Sequence, residues 1–191
     1  MSQISFLSLT WSQFHQDVFE LAKKVEASGQ KFDRIVCIDR GGAIVARFLS
    51  DFLGLKISSF VMVAYKEIGK LSQPKILEEL KTSIKDEKIL LVDEIIDSGS
   101  SFEAALEYLR KFQPQEIVTL APYIKPISRF KPDFWQVETD QWVIFPYEVR
   151  ETISDVSRIL KKQGKIDEEI EKQISEFGFN DEQVSYFSKD E

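Results

Sequence analysis

The chain has 191 residues, 43% hydrophobic and 30% charged, with fifteen Phe and three Trp, enough material for one globular domain plus an appendage. A formal charge of −7 argues against general binding to nucleic acid or an anionic membrane. One cysteine, Cys37, and one histidine, His15, exclude an intrachain disulfide and make a His/Cys metal centre a poor expectation.

Thr10 and Gln13 fit a capping box, and Trp11, Phe14, Val18, Leu21, Ala22 and Val25 then recur at helical spacing, with Gly29 as a stop. Arg34 to Ile38 reads as a strand. Gly41 and Gly42 open a second helix whose apolar positions run from Ile44 to Leu53, with Gly54 capping its end. Lys56 to Ala64 reads as the next strand. Tyr65 to Pro74, with Gly69, Pro74 and several charges, reads as a mobile loop, and Lys75 to Leu80 fits either a short edge strand or a helical turn. A buried parallel strand over 88–93 leads into a helix from about Ser100 to Phe112, for which Ser100 and Glu103 offer a second capping box. Glu116 to Pro122, Phe134 to Val137 and Trp142 to Phe145 read as further strands. Strands alternating with helices predict an α/β fold, a parallel sheet covered on both faces. Beyond Tyr147, residues 151–188 show three short helical patterns, expected as an appendage. The first carries Ile153, Val156, Ile159 and Leu160 and ends at Gly164. The second carries Ile166, Ile170, Ile174 and Phe177 and ends at Gly178. The third starts at an Asn180/Gln183 capping box. No apolar run reaches membrane-spanning length and no signal-like segment opens the chain, so a cytoplasmic protein is expected.

The most telling stretch is Ile89 to Ser101. An apolar strand meets Asp93 and Glu94, then a third acid, Asp97, and then Ser98, Gly99, Ser100 and Ser101. Backbone N–H groups, hydroxyls and the positive end of a helix make a phosphate cradle. Its place at a strand's C-terminal end is where open α/β sheets bind ligands. Three acids within five residues repel one another unless a cation sits among them, and a divalent ion with oxygen ligands suits them. The plainer alternative is a surface turn with solvated acids. Asp39-Arg40-Gly41-Gly42 repeats the strand-end pattern: the glycines let backbone approach an anion, and Arg40 brings a fork suited to phosphate oxygens. By itself a Gly-Gly after a strand is a common turn. Lys125-Pro126 and Asp140 to Glu148 are open to two readings: an indole stacked on a flat heterocycle beside a lysine donor, or a core tryptophan and a solvated lysine. His15 reads as structural and Cys37 as a small buried hydrophobe.

Together these segments resemble type I phosphoribosyltransferases, most closely the xanthine–guanine branch of the 6-oxopurine salvage enzymes. The likeness rests on Val92-Asp93-Glu94-Ile95-Ile96-Asp97-Ser98-Gly99-Ser100-Ser101, on Asp39-Arg40-Gly41-Gly42, on Ile124-Lys125-Pro126, on Trp142 to Glu148 and on the opening Leu9-Thr10-Trp11. It spans roughly residues 9–150, and the tail beyond is not covered. It implies an open parallel sheet with a small hood, residues 1–150 as the phosphoribosyltransferase domain and 151–191 as a helical extension packed on it. It implies transfer of the 5-phosphoribosyl group from phosphoribosyl pyrophosphate (PRPP) to guanine, xanthine or hypoxanthine, giving a nucleoside 5′-monophosphate and pyrophosphate. Magnesium is the implied cofactor, and a homodimer or homotetramer the implied assembly, with neither nucleic acid nor membrane as partner.

Carried over by position, Ser98, Gly99, Ser100 and Ser101 hold the 5′-phosphate, Asp93 and Glu94 face the ribose hydroxyls, and Arg40, Gly41 and Gly42 receive the pyrophosphate. Asp97 lies at the position of the acid near purine N7 and is the implied catalytic residue. Lys125 meets the 6-oxo group, Trp142 stacks on the ring and the Val143 backbone meets its edge. Glu94, Asp93 and, through water, Glu148 are the implied metal ligands. The resemblance also implies a cis peptide between Asp39 and Arg40, and closure of the Tyr65–Pro74 loop over the reaction. Glu94 stands where the family has aspartate, serines 98 and 101 where it has threonines, and Asp39 where it has an uncharged residue. A non-catalytic PRPP- or nucleotide-binding regulator of the same fold is the competing expectation, and an orotate-type pyrimidine enzyme a weaker one.

Overall fold

The computed structural model describes residues 5–63, 66–67, 70–71 and 74–188. They divide into two compact units, His15–Asp140 in one, and the described residues up to Phe14 with those from Gln141 onward in the other.

The larger unit is built on a sheet. β2 (Arg34–Asp39), β3 (Lys56–Val63), β7 (Lys88–Val92), β9 (Glu116–Ile124) and β10 (Phe134–Glu138) run parallel in the order β10-β9-β7-β2-β3. β6 (Lys75–Glu78) adds an antiparallel edge to β3, and the two residues of β8 (Ile95–Ile96) pair with β9 beyond the end of β7. Ile89 to Val92 are fully buried, as a central strand covered on both faces requires. α2 (Gly41–Leu53) and α3 (Ser100–Arg110) connect β2 to β3 and β7 to β9. The two connections step in opposite directions along the sheet, so right-handed crossovers put the helices on opposite faces. Phe102, Ala105 and Leu109 of α3 pack with Val36, Ile38, Phe60, Ile89, Leu91 and Ala121, and each such side chain contributes roughly 1.5–3 kcal/mol of burial. α1 (Trp11–Ala27) starts under Thr10, whose Oγ1 accepts the Gln13 N–H at 3.1 Å. His15 lies edge-on to Phe48 and Phe52, a packing role. Burial pushes the Cys37 thiol up to about 12, so it is an inert core group.

Several local expectations are corrected. Ser100 is not the cap of α3; Gly99 is, at φ 91° with no side-chain cap, because its missing Cβ would meet Phe130 Cβ at 2.4 Å. The helix that follows ends at Arg110, short of Phe112. Residues 75–78 resolve as the edge strand. Of the loop expected over 65–74, Lys66–Glu67 (β4) and Lys70–Leu71 (β5) pair antiparallel, and residues 65, 68–69 and 72–73 lie outside the described residues.

In the smaller unit, β1 (Phe6–Ser8) pairs parallel with β11 (Trp142–Ile144), so the strand expected at 142–145 has its partner at the start of the chain. α4 (Val149–Lys162), α5 (Asp167–Ser175) and α6 (Asp181–Phe187) gather Ile153, Val156, Leu160, Ile170, Ile174 and Val184 into a core with Ile144. Gly164 and Gly178 end their helices at φ 84° and 92°, and Asn180 with Gln183 forms the expected capping box. Ile166 does not join the apolar face; it is the N-cap of α5 and 61% exposed.

At the sheet's N-terminal edge, Arg34 grips Glu87 with two bonds of 2.7 and 2.9 Å. The Arg34 hydrogen bond, opposed by burial, holds the Glu87 carboxyl below its usual range. Its folded pKa is therefore below the unfolded one, so the stability it contributes is complete above the ordinary glutamate value and is lost as pH falls through the folded value. Glu87→Gln should cost about 1–2 kcal/mol near neutrality. In denaturant titrations the gap from wild type should narrow as pH falls below the ordinary glutamate value.

Candidate active site

Two helices begin where β2 and β7 end. Neither α2 nor α3 has a side-chain cap, so first-turn N–H groups of both point outward at the C-terminal edge of the sheet. Arg40 is the exposed N-cap of α2, and the Asp39–Arg40 peptide is cis. Gly41 and Gly42 follow at the first two helical positions.

The glycines are there because the acids are. A Cβ on Gly41 would fall 1.6–1.8 Å from the Glu94 carboxyl atoms, and one on Gly42 would fall 2.6 Å from the Val92 carbonyl oxygen and 3.3 Å from Asp93 Oδ1. The end of β7 thus presses its two carboxylates onto the opening of α2. Asp93 Oδ1 accepts the Glu94 N–H at 3.0 Å, and the Gly42 N–H also faces that carboxyl. Burial first, and the neighbouring Glu94 second, push Asp93 well above the usual carboxylate range. Glu94 Oε2 is buried with no hydrogen-bond partner. An orphaned carboxylate oxygen beside a second acid is the donor set a hard cation would satisfy. Among the described residues no group of three or more His, Cys, Asp or Glu converges on one point, so an ion here would complete its shell with ligand oxygens or water.

The second helix opening is shaped by the loop after β9. The Ser98 and Ser100 hydroxyls lie 3.0 Å apart, and the Glu103 N–H donates to the Gly99 carbonyl at 3.1 Å. The Lys125 N–H donates to Ile96 O at 2.9 Å and the Arg129 N–H to Ser98 O at 3.3 Å, while Phe130 stacks on Phe102 and closes over Gly99. Asp97 is exposed, and the Lys125 amine lies in the fields of Asp97 and Asp140. Burial lowers the Lys125 pKa, and the two acids oppose that shift.

Arg40, Gly41, Gly42, Asp93, Glu94, Asp97, Ser98, Gly99, Ser100, Ser101 and Lys125 all belong to the larger unit, on adjoining strand ends. Trp142, Val143 and Glu148 belong to the smaller one: Trp142 is 39% exposed at the start of β11, Val143 is buried and Glu148 is the N-cap of α4. Sequence reading did not single out Arg129 or Phe130, and it named Asp140 only as the start of the segment that carries Trp142. Their part is a backbone bond, a close approach and a through-space charge, none of which leaves a periodic signal.

An α/β sheet with two helix openings after adjoining strands has the architecture in which such folds bind phosphate-bearing ligands. Comparison with known proteins makes this specific. The family model for the phosphoribosyl transferase domain matches residues 9–152. A xanthine-guanine phosphoribosyltransferase of Gluconobacter oxydans is 31% identical over 149 residues, 76% of this chain and 86% of that protein. A purine phosphoribosyltransferase from Pyrococcus horikoshii superposes with a TM-score of 0.68 at 30% identity, over 74% of this chain and 93% of its own. A Helicobacter pylori xanthine-guanine-hypoxanthine phosphoribosyltransferase gives 0.68 at 29%, over 78% and 98%. The chain belongs to the phosphoribosyl transferase domain family.

The glycine packing predicts a difference between neighbours. Gly42→Ala presses on backbone and should cost about 1–3 kcal/mol. Gly41→Ala meets only the movable end of Glu94 and should stay within about 1 kcal/mol of wild type. Urea titration of both variants checks the order.

Proposed function

We propose that this protein is a purine-salvage phosphoribosyltransferase, moving the 5-phosphoribosyl group of PRPP onto a 6-oxopurine to give the nucleoside 5′-monophosphate and pyrophosphate. The observation that carries this reading is the pair of uncapped helix openings, α2 and α3, flanking Asp93 and Glu94. The identity of the Gluconobacter oxydans relative supports it. Residues 1–150 carry the activity in this reading, and 151–191 form its helical extension.

The 5′-phosphate sits on the opening of α3, where Ser98, Gly99, Ser100 and Ser101 offer N–H and hydroxyl donors. Asp93 and Glu94 accept from the ribose hydroxyls. Glu94 and Asp93, with Glu148 through water, are the groups that would hold Mg²⁺, which when bound neutralises charge on the diphosphate. Arg40 and the N–H groups of Gly41 and Gly42 receive the pyrophosphate and stabilise the charge that grows on it as its bond to C1′ breaks. A purine nitrogen forms the new bond to C1′, and Asp97 takes the proton that the ring gives up. Lys125 donates to the 6-oxo group, which places the flat ring. In the smaller unit, Trp142 supplies a stacking face and the Val143 backbone a partner for ring-edge groups.

The sum charge of −7 makes a cationic counterpart necessary for a substrate as anionic as PRPP. No helix of the described residues is long and apolar enough to cross a membrane, and we read the enzyme as cytoplasmic and as a homodimer or homotetramer. A regulator that binds PRPP or nucleotide without turnover is not favoured, since Asp97, Arg40 and Lys125 are all present.

The direct test is turnover with Mg²⁺, PRPP and guanine, xanthine or hypoxanthine in turn. Asp97→Asn should lower kcat by about 10²–10⁴-fold with a much smaller change in substrate KM, as loss of a general base requires. Trp142→Ala should raise the KM for the base and leave kcat within about threefold. Wild-type turnover by the Asp97 variant would remove that acid from the mechanism.

A further inference from the structure

Asp17 is a buried carboxyl for which the proposed reaction has no use. It lies on α1, 5% exposed, and its Oδ2 accepts a 2.6 Å hydrogen bond from the hydroxyl of Tyr123, itself fully buried on β9. The direction of that phenol is unusual for its strand. Ala121 and Ile124 both pack in the cluster on the α3 side of the sheet, whereas strict alternation would put Ala121 and Tyr123 on one face. β9 pairs with β7 as far as Leu120, and its pairing with β8 starts at Tyr123. Pro122 sits in this gap and has no N–H for a ladder bond. The register with β7, β8 and β10 is the same on either side of this gap, and Tyr123 turns toward α1.

The same residue holds the acid loop by its backbone. The Tyr123 N–H donates to the Glu94 carbonyl at 3.4 Å, and two residues on, the Lys125 N–H donates to the Ile96 carbonyl at 2.9 Å. Residue 123 is thus tied through its side chain to a helix and through its main chain to the segment bearing Glu94 and Asp97. Two well-packed apolar side chains would fill the space with no loss of stability. What a phenol and a carboxyl add is a fixed direction and distance. Burial and the bond to Asp17 raise the Tyr123 pKa, so the phenol remains a donor across the physiological range.

We propose that Asp17 and Tyr123 are a positioning pair for phosphoribosyl transfer: their buried hydrogen bond sets the end of β9, and through it the placement of Glu94, Asp97 and Lys125. The pair acts through the backbone of residues 94–96 and touches no reacting atom. This rests on the reading under Proposed function.

Three proteins test it: wild type, Tyr123→Phe and Asp17→Asn, which keeps a carbonyl acceptor for the phenol. Each is measured for kcat/KM toward PRPP, for melting temperature and for amide hydrogen exchange in peptides covering residues 93–98 and 35–38. Tyr123→Phe should lose about tenfold or more in kcat/KM, since small misplacements of reacting groups are costly. Its exchange should quicken about tenfold at 93–98 and stay unchanged at 35–38, a local rather than global opening. Asp17→Asn should remain within about threefold of wild type on both counts. A Tyr123→Phe protein with wild-type kinetics overturns the proposal, whatever its melting temperature, because the pair is then only packing. Equal quickening at 93–98 and 35–38 overturns it as well. Should wild type turn over no 6-oxopurine, the functional reading fails by itself, and the exchange comparison still decides whether the pair holds the loop.

Discussion

The site depends on a steric constraint between two strand ends. β7 leaves the sheet carrying Asp93 and Glu94, and the opening of α2 lies where their side chains must go. At Gly42 a Cβ would press on the backbone of Val92 and Asp93, and at Gly41 it would displace the end of Glu94, so glycines stand at the start of this helix despite the conformational entropy they forfeit. The close approach does two things at once. It brings backbone N–H groups of α2 beside the acids, and it shuts one oxygen of Glu94 away from water without a partner. A protein folded for stability alone would not keep such an oxygen; a cation or a substrate hydroxyl resolves it.

The second opening is secured in a different way. Gly99 takes a positive φ, and Phe130 sits where its side chain would be. The loop after β9 therefore walls the opening of α3, bonded to the segment before it at Ser98 and Ile96. Helix α3 starts without a side-chain cap from Gly99, and its first N–H, that of Ser100, makes only a long 3.4 Å bond to Ser98 Oγ. Thr10 on α1 and Asn180 on α6 show that the chain does cap helices elsewhere. α4 too starts without a side-chain cap, so what sets the openings of α2 and α3 apart is their place after β2 and β7, at the C-terminal edge of the sheet.

Electrostatics then sorts the roles. Asp93 is pushed toward neutrality by burial and by its neighbour, while Lys125 is drawn down by burial and held up by Asp97 and Asp140. Glu94, longer by one methylene than the aspartate of the family pattern, fits because its carboxyl lies over a glycine.

Much of this was legible in the residues themselves. The alternation of apolar runs with helical spacing gave the parallel sheet, since burial on both faces leaves a local mark on each strand. The run from Val92 to Ser101 marked one strand-to-helix opening, and Asp39 to Gly42 its counterpart, because loop chemistry is written in consecutive residues. Local signals misled where a distant residue intervened: Ser100 had the right type for a cap, yet it is the first helical residue and Gly99, packed against Phe130, holds the cap position. The pairing of β1 with β11 joins residues more than a hundred positions apart, and the bond from Asp17 to Tyr123 does the same. Sequence determined which segments become strands and helices and where two helices open at strand ends, because those follow from nearest-neighbour physics. Tertiary structure alone decided which carboxylate oxygen is left unpaired, which glycine is indispensable and which buried pair fixes the acid loop, because each depends on atoms that only folding brings within a few ångströms.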